Sequence, residues 1–336
     1  MIKDFSKKNI ARVIGEYRGA YKVKGEGGDY LARVTGSKMF KSSSREDFPA
    51  VGDFVETTNP IEGDATIIKI LPRKTIIKRK YNNKNEVQII ATNIDVAFIV
   101  ESVNKDFNLN RFERYFAIAK TGGVKPVIVL NKIDLISKEE LERKSFEIKE
   151  RFKDIDFIKV STISEEGLKE LKEYIEKGKT YCFLGSSGVG KSSLINKLLD
   201  KELIKTKSVS SRNDKGKHTT TNRQMYFLKD GGIVIDNPGM REVGMAETNE
   251  GIDNFFDLIT NLAKDCKYAD CTHVHEPNCR VLLALKNGEI KEEQYSNYIN
   301  LKKEAEFFEM TKQEKREKDY QFGKFIKKAK KDLENL

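Results

Sequence analysis

A nine-residue stretch, Gly185 to Ser193, constrains the fold of this chain more than any other part of it. Its sequence, GSSGVGKSS, matches the pattern G-x-x-x-x-G-K-S/T and follows a short apolar run, Thr180 to Leu184. In such a stretch a glycine-rich turn points backbone N–H groups at phosphate oxygens, and the next helix presents its positive end to the same anion. The sequence therefore predicts a strand, a phosphate-binding loop and a helix. The alternative is a glycine-rich turn without a ligand.

Two side chains of this stretch have specific expected roles. Lys191 would reach the outer phosphates of a nucleotide, and the Ser192 hydroxyl would ligate Mg²⁺. The remaining predicted nucleotide contacts in the loop are Gly185, Ser186, Ser187, Gly188, Val189, Gly190 and Ser193.

Length and composition limit the class of protein. The 336 residues are too many for one hydrophobic core and predict two or three domains. No apolar run reaches the roughly 18 residues of a membrane span, and the N-terminal sequence MIKDFSKKNI lacks the apolar segment of a signal peptide. We expect a cytoplasmic protein that does not bind membranes, and we expect a monomer.

The net charge of +10 is distributed unevenly. Residues 1–80 contain 17 Lys or Arg against 10 Asp or Glu, and residues 65–85 contain seven basic residues and no acidic one. A one-sided positive field attracts polyanions such as nucleic acids. Because lysine is abundant throughout the chain, a merely solvated basic surface is the alternative.

Residues 1–72 have the pattern of a small β-barrel. Five short runs separated by polar, often glycine-containing segments are the expected strands, at 11–14, 20–23, 30–34, 53–57 and 66–71. The commonest five-stranded barrel that binds nucleic acid is the OB-fold, and we expect that fold, with an RNA-contacting role. Residues 73–90 would form a basic linker.

From residue 91 to 248 buried strands alternate with helices. The expected strands lie at 94–100, 126–130 and 157–160 and directly before the phosphate loop, and the expected helices lie at 109–120, 138–152 and 165–176. This alternation predicts an α/β domain with a parallel, doubly wound sheet. Ligands of such sheets bind at the carboxyl ends of the strands.

The sequence Asn131-Lys132-Ile133-Asp134 follows one of these strands. Asp134 can accept hydrogen bonds from the ring N–H and exocyclic amine of guanine, Asn131 can meet the opposite side of the base, and the stem of Lys132 can cover the ring. Adenine lacks the donors that Asp134 requires, so the motif predicts selection of guanine. Ser161, at the end of the next strand, can brace the base through its backbone N–H; an ordinary strand-end turn is the alternative.

Two further segments predict a site for Mg²⁺ and the terminal phosphate. The polar core Gly216 to Thr221 contains Thr220, whose hydroxyl would reach Mg²⁺, and a flexible polar loop is the alternative. In the sequence Asp236-Asn237-Pro238-Gly239, Asp236 would hold a water of the Mg²⁺ shell and the Gly239 N–H would meet the γ-phosphate. The predicted Mg²⁺ residues are therefore Ser192, Thr220 and Asp236.

The C-terminal region, 249–336, contains the pattern Cys266-x₄-Cys271-x-His273-x₅-Cys279. Three thiolates and one imidazole form a complete tetrahedral set for Zn²⁺ and leave no position for water, which predicts a structural site. Buried reduced thiols without metal are the alternative. We expect a mostly helical zinc-binding domain, whose basic helical tail would either lie on RNA or be solvated.

The motifs N-K-x-D, G-x-x-x-x-G-K-S, the threonine-rich loop and D-x-P-G are those of a GTPase in rotated order. With a barrel before them and the Cys/His cluster behind, the chain resembles the circularly permuted RsgA (YjeQ) family of ribosome-small-subunit-dependent GTPases over essentially its whole length. The resemblance assigns the same four Cys and His residues as zinc ligands. One departure is Asn237, where the family usually has Thr.

The resemblance implies a GTP hydrolase that is stimulated by the small ribosomal subunit, binds its rRNA late in assembly and leaves after hydrolysis. We expect slow intrinsic turnover, because Met240 follows Gly239 at the position where Ras-like enzymes carry a water-orienting Gln. His218 is the nearest candidate to position the water, and Thr220 is the second predicted catalytic residue. Some relatives hold K⁺ with an Asn of the phosphate loop; Gly188 stands at that position, so we do not predict K⁺.

A GTP/GDP-sensing RNA-binding switch with negligible turnover is the rival interpretation. A GTPase that targets tRNA or proteins is a third.

Overall fold

In the computed structural model of this protein, the first five strands close into a barrel. Strands β1 to β5 are Ile10–Tyr17, Ala20–Gly25, Gly28–Val34, Phe54–Thr57 and Asp64–Ile70. Neighbouring strands are antiparallel except β3 and β5, which run parallel, and β4 pairs with β1 to close the ring. The prediction of a five-stranded barrel is confirmed, and the strand order, β1-β2-β3-β5-β4, is that of the OB-fold.

The structure describes residues 9–17, 19–36, 44–81, 86–104, 107–201, 204, 223–237, 248–311, 313–318, 320–321, 323–324 and 326. The chain forms two compact units, Met1–Gly244 and Met245–Leu336. The barrel and the α/β sheet belong to the first unit. The domain boundaries expected at residues 72, 90 and 248 stay predictions.

Alternation of apolar and polar residues explains why the barrel strands form. Val13, Val23, Val55 and Ile67 all point inward and are almost completely buried. Because successive side chains of a strand face opposite sides, their polar neighbours reach solvent. A single small core therefore fills the barrel.

A parallel sheet forms the centre of the first unit. Strands β8 to β11 are Val96–Ser102, Lys125–Asn131, Phe157–Val160 and Thr180–Leu184, and β13 is Ile233–Asp236. They lie in the order β10-β9-β8-β11-β13. Strand β12, Gln224–Phe227, is antiparallel to β13. Every residue of β8 and of β11 is buried, as the run of apolar residues predicts for strands covered on both faces.

Four helices follow or connect these strands in the described part of the unit. They are α1 (Leu109–Thr121), α2 (Lys138–Arg151), α3 (Leu168–Glu173) and α4 (Lys191–Leu199). The helix expected at 165–176 is shorter because it begins after Gly167, which has a φ of +73°. A Cβ on Gly167 would lie 1.8 Å from the Lys159 carbonyl oxygen, so only glycine fits where the chain leaves β10.

The segment expected to be a basic linker is instead a β-hairpin in large part. Strands β6 (Ile76–Tyr81) and β7 (Glu86–Thr92) pair antiparallel with each other. The run of basic residues hides the strand pattern in the sequence. Two of these charges have local partners: Lys78 Nζ lies 2.6 Å from Glu46 Oε1, and Arg79 donates to Gln88. Ile77 supplies the buried anchor.

The barrel and the parallel sheet are continuous. Strand β1 of the barrel pairs antiparallel with β12 through Gly15 and Gln224, which joins β1–β5 and β8–β13 into one eleven-stranded sheet. The sequence predicted two separate sheets. Pairing between strands far apart in sequence depends on which edges are left open, and β12 would otherwise be an exposed edge.

The second unit is helical. Its helices are α5 (Asn249–Phe255), α6 (Asp257–Ala263), α7 (Arg280–Lys286) and α8 (Glu292–Glu309). The Phe256 ring packs edge-on against Tyr298 of α8, with centroids 5.4 Å apart. Within the described ranges, no helix has the length and apolarity needed to span a membrane.

A buried ion pair connects the barrel to the segment that leads out of it. Asp53, which is fully buried, accepts two hydrogen bonds of 2.8 Å from the guanidinium of Arg73. The Thr92 hydroxyl and the Ala50 N–H complete its contacts at 2.7 and 2.8 Å. Removing one member of such a pair leaves the other charge buried without compensation.

We therefore expect Asp53→Ala to lower the free energy of unfolding by about 3 kcal/mol. Urea unfolding followed by circular dichroism measures this change. Asp64→Ala is the matched control, because Asp64 pairs with Arg33 on the barrel surface, where both side chains are 54% exposed. Equal effects of the two substitutions would contradict the prediction.

Candidate functional site

The predicted phosphate loop lies between β11 and α4. Gly185 follows β11 with a φ of +147°, and Gly190 directly before α4 has a φ of +101°. A Cβ on Gly185 would lie 2.2 Å from the Val100 carbonyl oxygen, so the loop crosses closely over the end of β8. The strand, loop and helix predicted from the sequence are all present.

Lys191, the first residue of α4, is buried in this loop. Its Nζ donates to the carbonyl oxygens of Gly185 and Ser186, both at 2.7 Å. Burial lowers the pKa of Lys191 to about 8, and the negative charges of Asp236 and Glu101 oppose that shift. The ammonium group is therefore held where an incoming phosphate would relieve the cost of its burial.

Asp236 ends β13 and is 5% exposed. Burial raises its pKa to about 6, and the attraction of Lys191 opposes the rise. Its Oδ1 has no hydrogen-bond partner among the described residues. A buried carboxylate oxygen without a partner is costly, and hard oxygen ligands suit Mg²⁺, so Asp236 together with the half-buried Ser192 fits the predicted metal.

The motif Asn131 to Asp134 lies directly against the phosphate loop. The Asn131 Nδ2 donates to the Val189 carbonyl oxygen at 2.7 Å, and the Lys132 Nζ donates to the Gly188 carbonyl oxygen at 2.6 Å. The hydrogen-bonded partners are 58 and 56 residues apart in sequence. Lys132 adopts a left-handed conformation, with a φ of +64°, as the chain turns from β9 into a 3₁₀ helix over Ile133–Leu135.

Close packing fixes this contact. A Cβ on Gly190 would lie 2.3 Å from Asn131 Nδ2, so a side chain at residue 190 would displace the amide. The Asn131 Oδ1 is buried and lacks a hydrogen-bond partner within the described structure. The sequence assigned the Asn131 side chain to the base alone, whereas one of its donors is already used by the loop.

Asp134 is oriented by Ser161. The Ser161 hydroxyl donates to Asp134 Oδ1, and it accepts from the N–H groups of Ile163 and Ser164, both at 3.1 Å. The Ser161 N–H, which the sequence assigned to the base, bonds instead to the Glu166 carbonyl oxygen at 2.9 Å. Ser161 thus contacts the Asp134 carboxylate through its side chain, while its backbone N–H closes the turn after β10.

Three predicted residues, His218, Thr220 and Gly239, lie outside the described residues, as does Met240. Asn237, next to Asp236, is 1% exposed, and neither polar atom of its side chain has a hydrogen-bond partner among the described residues.

Two polar residues beside the loop were not predicted from the sequence. Glu101, near the end of β8, is 1% exposed, and its Oε2 lies 3.8 Å from Arg111 Nη1. Burial raises the pKa of Tyr115 on α1 to about 12, and a hydrogen bond with the Ser186 side chain opposes the rise. Glu101 could have been found from the sequence, because it is an acidic residue at the end of an apolar strand. No sequence pattern distinguishes Tyr115 from the other residues of its helix.

In the second unit the four predicted zinc ligands converge. Their ligand atoms all lie within 4.8 Å of one another. The Sγ atoms of Cys266 and Cys279 are 3.8 Å apart, and they lie 3.6 and 3.5 Å from the His273 Nδ1. Tetrahedral Zn²⁺ with ordinary bond lengths requires about 3.8 Å between sulfurs and about 3.5 Å between sulfur and nitrogen. The donor set therefore fits zinc.

Glu276 holds the loop that carries two of these ligands. Its carboxylate accepts from the N–H groups of Thr272, Val274 and His275 at 2.9, 3.0 and 3.1 Å, and from the Thr272 hydroxyl. The Tyr295 hydroxyl on α8 donates to the His273 carbonyl oxygen at 2.7 Å. These bonds fix the loop from both sides, and His273 accordingly keeps a left-handed φ of +62°.

Comparison with known proteins agrees with this arrangement. A sequence model of the RsgA GTPase family matches residues 70–246, and a model described as 50S ribosome-binding GTPase matches residues 180–318. A small ribosomal subunit biogenesis GTPase RsgA 2 of Lactiplantibacillus plantarum is 41% identical over 90% of this chain and 86% of the relative. The chain belongs to the RsgA GTPase family.

Other members and solved structures cover the flanking regions as well. An RsgA 1 of Bacteroides thetaiotaomicron is 35% identical over 100% of this chain and 94% of its own. The crystal structure of YjeQ from Thermotoga maritima is 28% identical, with a TM-score of 0.63 over 87% of this chain and 96% of that one. YloQ, a circularly permuted GTPase, shares the fold at a TM-score of 0.63 with 22% identity.

We expect Glu276→Gln to weaken zinc binding by about tenfold, because the loss of charge loosens the loop that aligns the Cys266, Cys271, His273 and Cys279 cluster. Competition against a chromophoric chelator measures the affinity. Glu289→Gln is the control, since Glu289 pairs with Arg280 outside the ligand loop. Unchanged affinity in a folded Glu276→Gln protein would show that the loop needs no such support.

Proposed function

We propose that this RsgA family member hydrolyses GTP to GDP and phosphate in the biogenesis of the small ribosomal subunit. The observation that carries the proposal is the contact of Asn131 and Lys132 with the phosphate loop, which brings a guanine-selective motif and a phosphate-binding motif to one place. Either motif alone is common; their hydrogen-bonded association supports a single guanine nucleotide site.

The phosphates would lie over the loop and the beginning of α4. Backbone N–H groups between Gly185 and Ser193 would face them, together with the positive end of the helix. The Lys191 ammonium would exchange its two carbonyl acceptors for phosphate oxygens. In a buried site that charge interacts with phosphate far more strongly than it would in water.

Mg²⁺ would be held by the Ser192 hydroxyl and Thr220, with Asp236 binding one of its waters, and it would supply neutralisation of the phosphate charge. One Zn²⁺ would be held by Cys266, Cys271, His273 and Cys279 as a structural ion. The Gly239 N–H would meet the γ-phosphate.

At the other end of the site, Asp134 would read the base. The Ser161 hydroxyl holds the Asp134 Oδ1 and so fixes the carboxylate group. The other carboxylate oxygen would then face the base in a defined direction. Lys132, anchored to Gly188, would cover the ring. Adenine would leave the carboxylate without donors, which is the physical basis of discrimination.

Intrinsic hydrolysis would be slow. Met240 cannot polarise water, so the nucleophile would depend on His218 and Thr220 and on an activator. The names of the curated relatives, small ribosomal subunit biogenesis GTPases, support the small subunit as that activator. Its rRNA would contact the basic barrel and the zinc unit, and we propose that the protein acts as a cytoplasmic monomer and leaves after hydrolysis.

The thioether of Met240 also favours the rival function, a GTP/GDP-sensing RNA-binding switch with negligible turnover. In that case GTP would govern binding to the small subunit, and hydrolysis would not be part of the cycle. Turnover measurements separate the two functions.

We expect purified small subunits to raise single-turnover GTP cleavage by about tenfold or more, because they would complete the water-activating site. Large subunits are the matched control. Lys191→Ala should lower the stimulated rate by about 10²-fold, since one buried cation is lost from the phosphates. No acceleration by small subunits would favour the switch, and wild-type cleavage by Lys191→Ala would refute the phosphate-loop assignment.

We expect Asp134→Asn to shift the preference from guanine towards xanthine nucleotides by about 10²-fold, because the amide supplies a donor where the carboxylate only accepts. Competition between GDP and xanthosine diphosphate for the same protein measures the ratio. Asp154→Asn, in the turn before β10, is a control. An unchanged ratio would place the base elsewhere.

A further inference from the structure

Strand β12 lies between the barrel and the candidate Mg²⁺ site. Gln224 pairs with Gly15 of barrel strand β1 on one side and with Asp236 of β13 on the other. The three residues therefore form one line across the sheet, from the barrel to the buried carboxylate. All four residues of β12 pair with β13, so the position of β12 bears directly on the end of β13 where Asp236 lies.

Arg223, directly before β12, attaches the strand to the barrel. Its Nη1 lies 3.2 Å from Glu16 Oε2 on β1, and it donates to the Ile89 carbonyl oxygen on β7 at 3.2 Å. The Arg223 side chain is 12% exposed. One guanidinium thus connects the barrel, the β6–β7 hairpin and the nucleotide-binding sheet.

The backbone alone attaches β12 to β1 weakly. Among the described residues the register between the two strands contains a single residue pair, and the Glu16 N–H reaches the Arg223 carbonyl oxygen at 3.4 Å. The Arg223 side chain therefore carries much of the attachment. Burial lowers the pKa of this guanidinium and the charge of Glu16 opposes that shift, as expected for a cation held in the interior by its partner.

We propose that Arg223 is a positioning residue for the Mg²⁺ end of the nucleotide site, and that through its contact with Glu16 the barrel fixes the place of Asp236. The inference rests on the proposed GTPase function, in which Asp236 binds a water of the metal. Displacements of about 1 Å in supporting groups are enough to weaken a site of this kind. Three strands separate β12 from β9, which leads into the residues proposed to bind the base. Loss of the Arg223 contact should therefore lower the affinity for Mg²⁺ and leave the preference for guanine unchanged.

The proposal gives the barrel a regulatory role. A polyanion bound to the barrel that shifts β1 would change the affinity for Mg²⁺, and by thermodynamic reciprocity Mg²⁺-nucleotide would change the affinity of the barrel for that polyanion. Arg223 and Glu16 would be the contact that transmits the coupling.

The test uses the full chain and a fluorescent GDP analogue. The Mg²⁺ concentration that gives half-maximal binding is measured for wild type, Arg223→Met and Glu16→Gln, together with GDP affinity in excess chelator and the preference for guanine over xanthine. Arg33→Met is the matched control, because it removes a barrel arginine whose ion pair with Asp64 lies on the surface, 3.0 Å between Nη1 and Oδ1.

We expect Arg223→Met to raise the half-maximal Mg²⁺ concentration by about tenfold, and Glu16→Gln to raise it by a smaller factor in the same direction. Metal-free affinity and base preference should stay at wild-type values, which general destabilisation would not allow. Glu16→Gln removes only a half-exposed charge and keeps the proposal testable if Arg223→Met does not fold.

Wild-type Mg²⁺ dependence in folded Glu16→Gln and Arg223→Met proteins would overturn the proposal, as would an equal shift in Arg33→Met. A loss of base preference together with metal affinity would also overturn it, because the contact would then be only structural. Failure of the wild type to bind GDP would count against the proposed GTPase function instead.

Discussion

The hydrogen bond from Asn131 to the Val189 carbonyl oxygen is the contact on which the nucleotide site depends. It joins the end of β9 to a loop 58 residues later, and Gly190 is the residue that leaves room for it. Parallel strands bring their carboxyl ends to one edge of the sheet, so the two motifs meet there whatever their order along the chain. Circular permutation therefore keeps the site and changes only which segments are attached to it.

Two buried charges of opposite sign give the phosphate loop its electrostatic character. Burial lowers the pKa of Lys191 to about 8 and raises that of Asp236 to about 6, and each group partly offsets the shift of the other. Their mutual attraction does not restore ordinary pKa values to either group. Phosphate oxygens beside Lys191 and a hydrated metal ion beside Asp236 would offset the remaining free-energy cost of burying these two charges.

The barrel contributes to the same sheet as this site. Strand β1 covers the open edge of β12, so the sheet that carries Asp236 extends into the barrel through Gly15 and Gln224. Arg12 of β1 adds a second connection, since its Nη2 donates to the Thr180 hydroxyl at the start of β11 at 2.9 Å. Through these two connections the barrel is joined directly to the sheet that carries Asp236.

The sequence by itself determined the features that local spacing encodes. The glycines and Lys191 of the phosphate loop, the Cys266 to Cys279 ligand set, the apolar strands of the parallel sheet and the five alternating strands of the barrel each follow from residues close together in the chain. The motif Asn131 to Asp134 was also predicted from the sequence, but its hydrogen bonds to the phosphate loop were not.

Only the tertiary structure decided how these parts are connected. The β6–β7 hairpin was hidden by its basic residues. The Ser161 N–H, expected to brace the base, bonds to the Glu166 carbonyl oxygen, and its hydroxyl contacts Asp134. Arg223 links three segments that are remote in sequence. Such contacts depend on which strand edges and buried charges are left without partners once the local elements have formed. That information is a property of the packed chain, because burial and pairing are set by residues tens to hundreds of positions away.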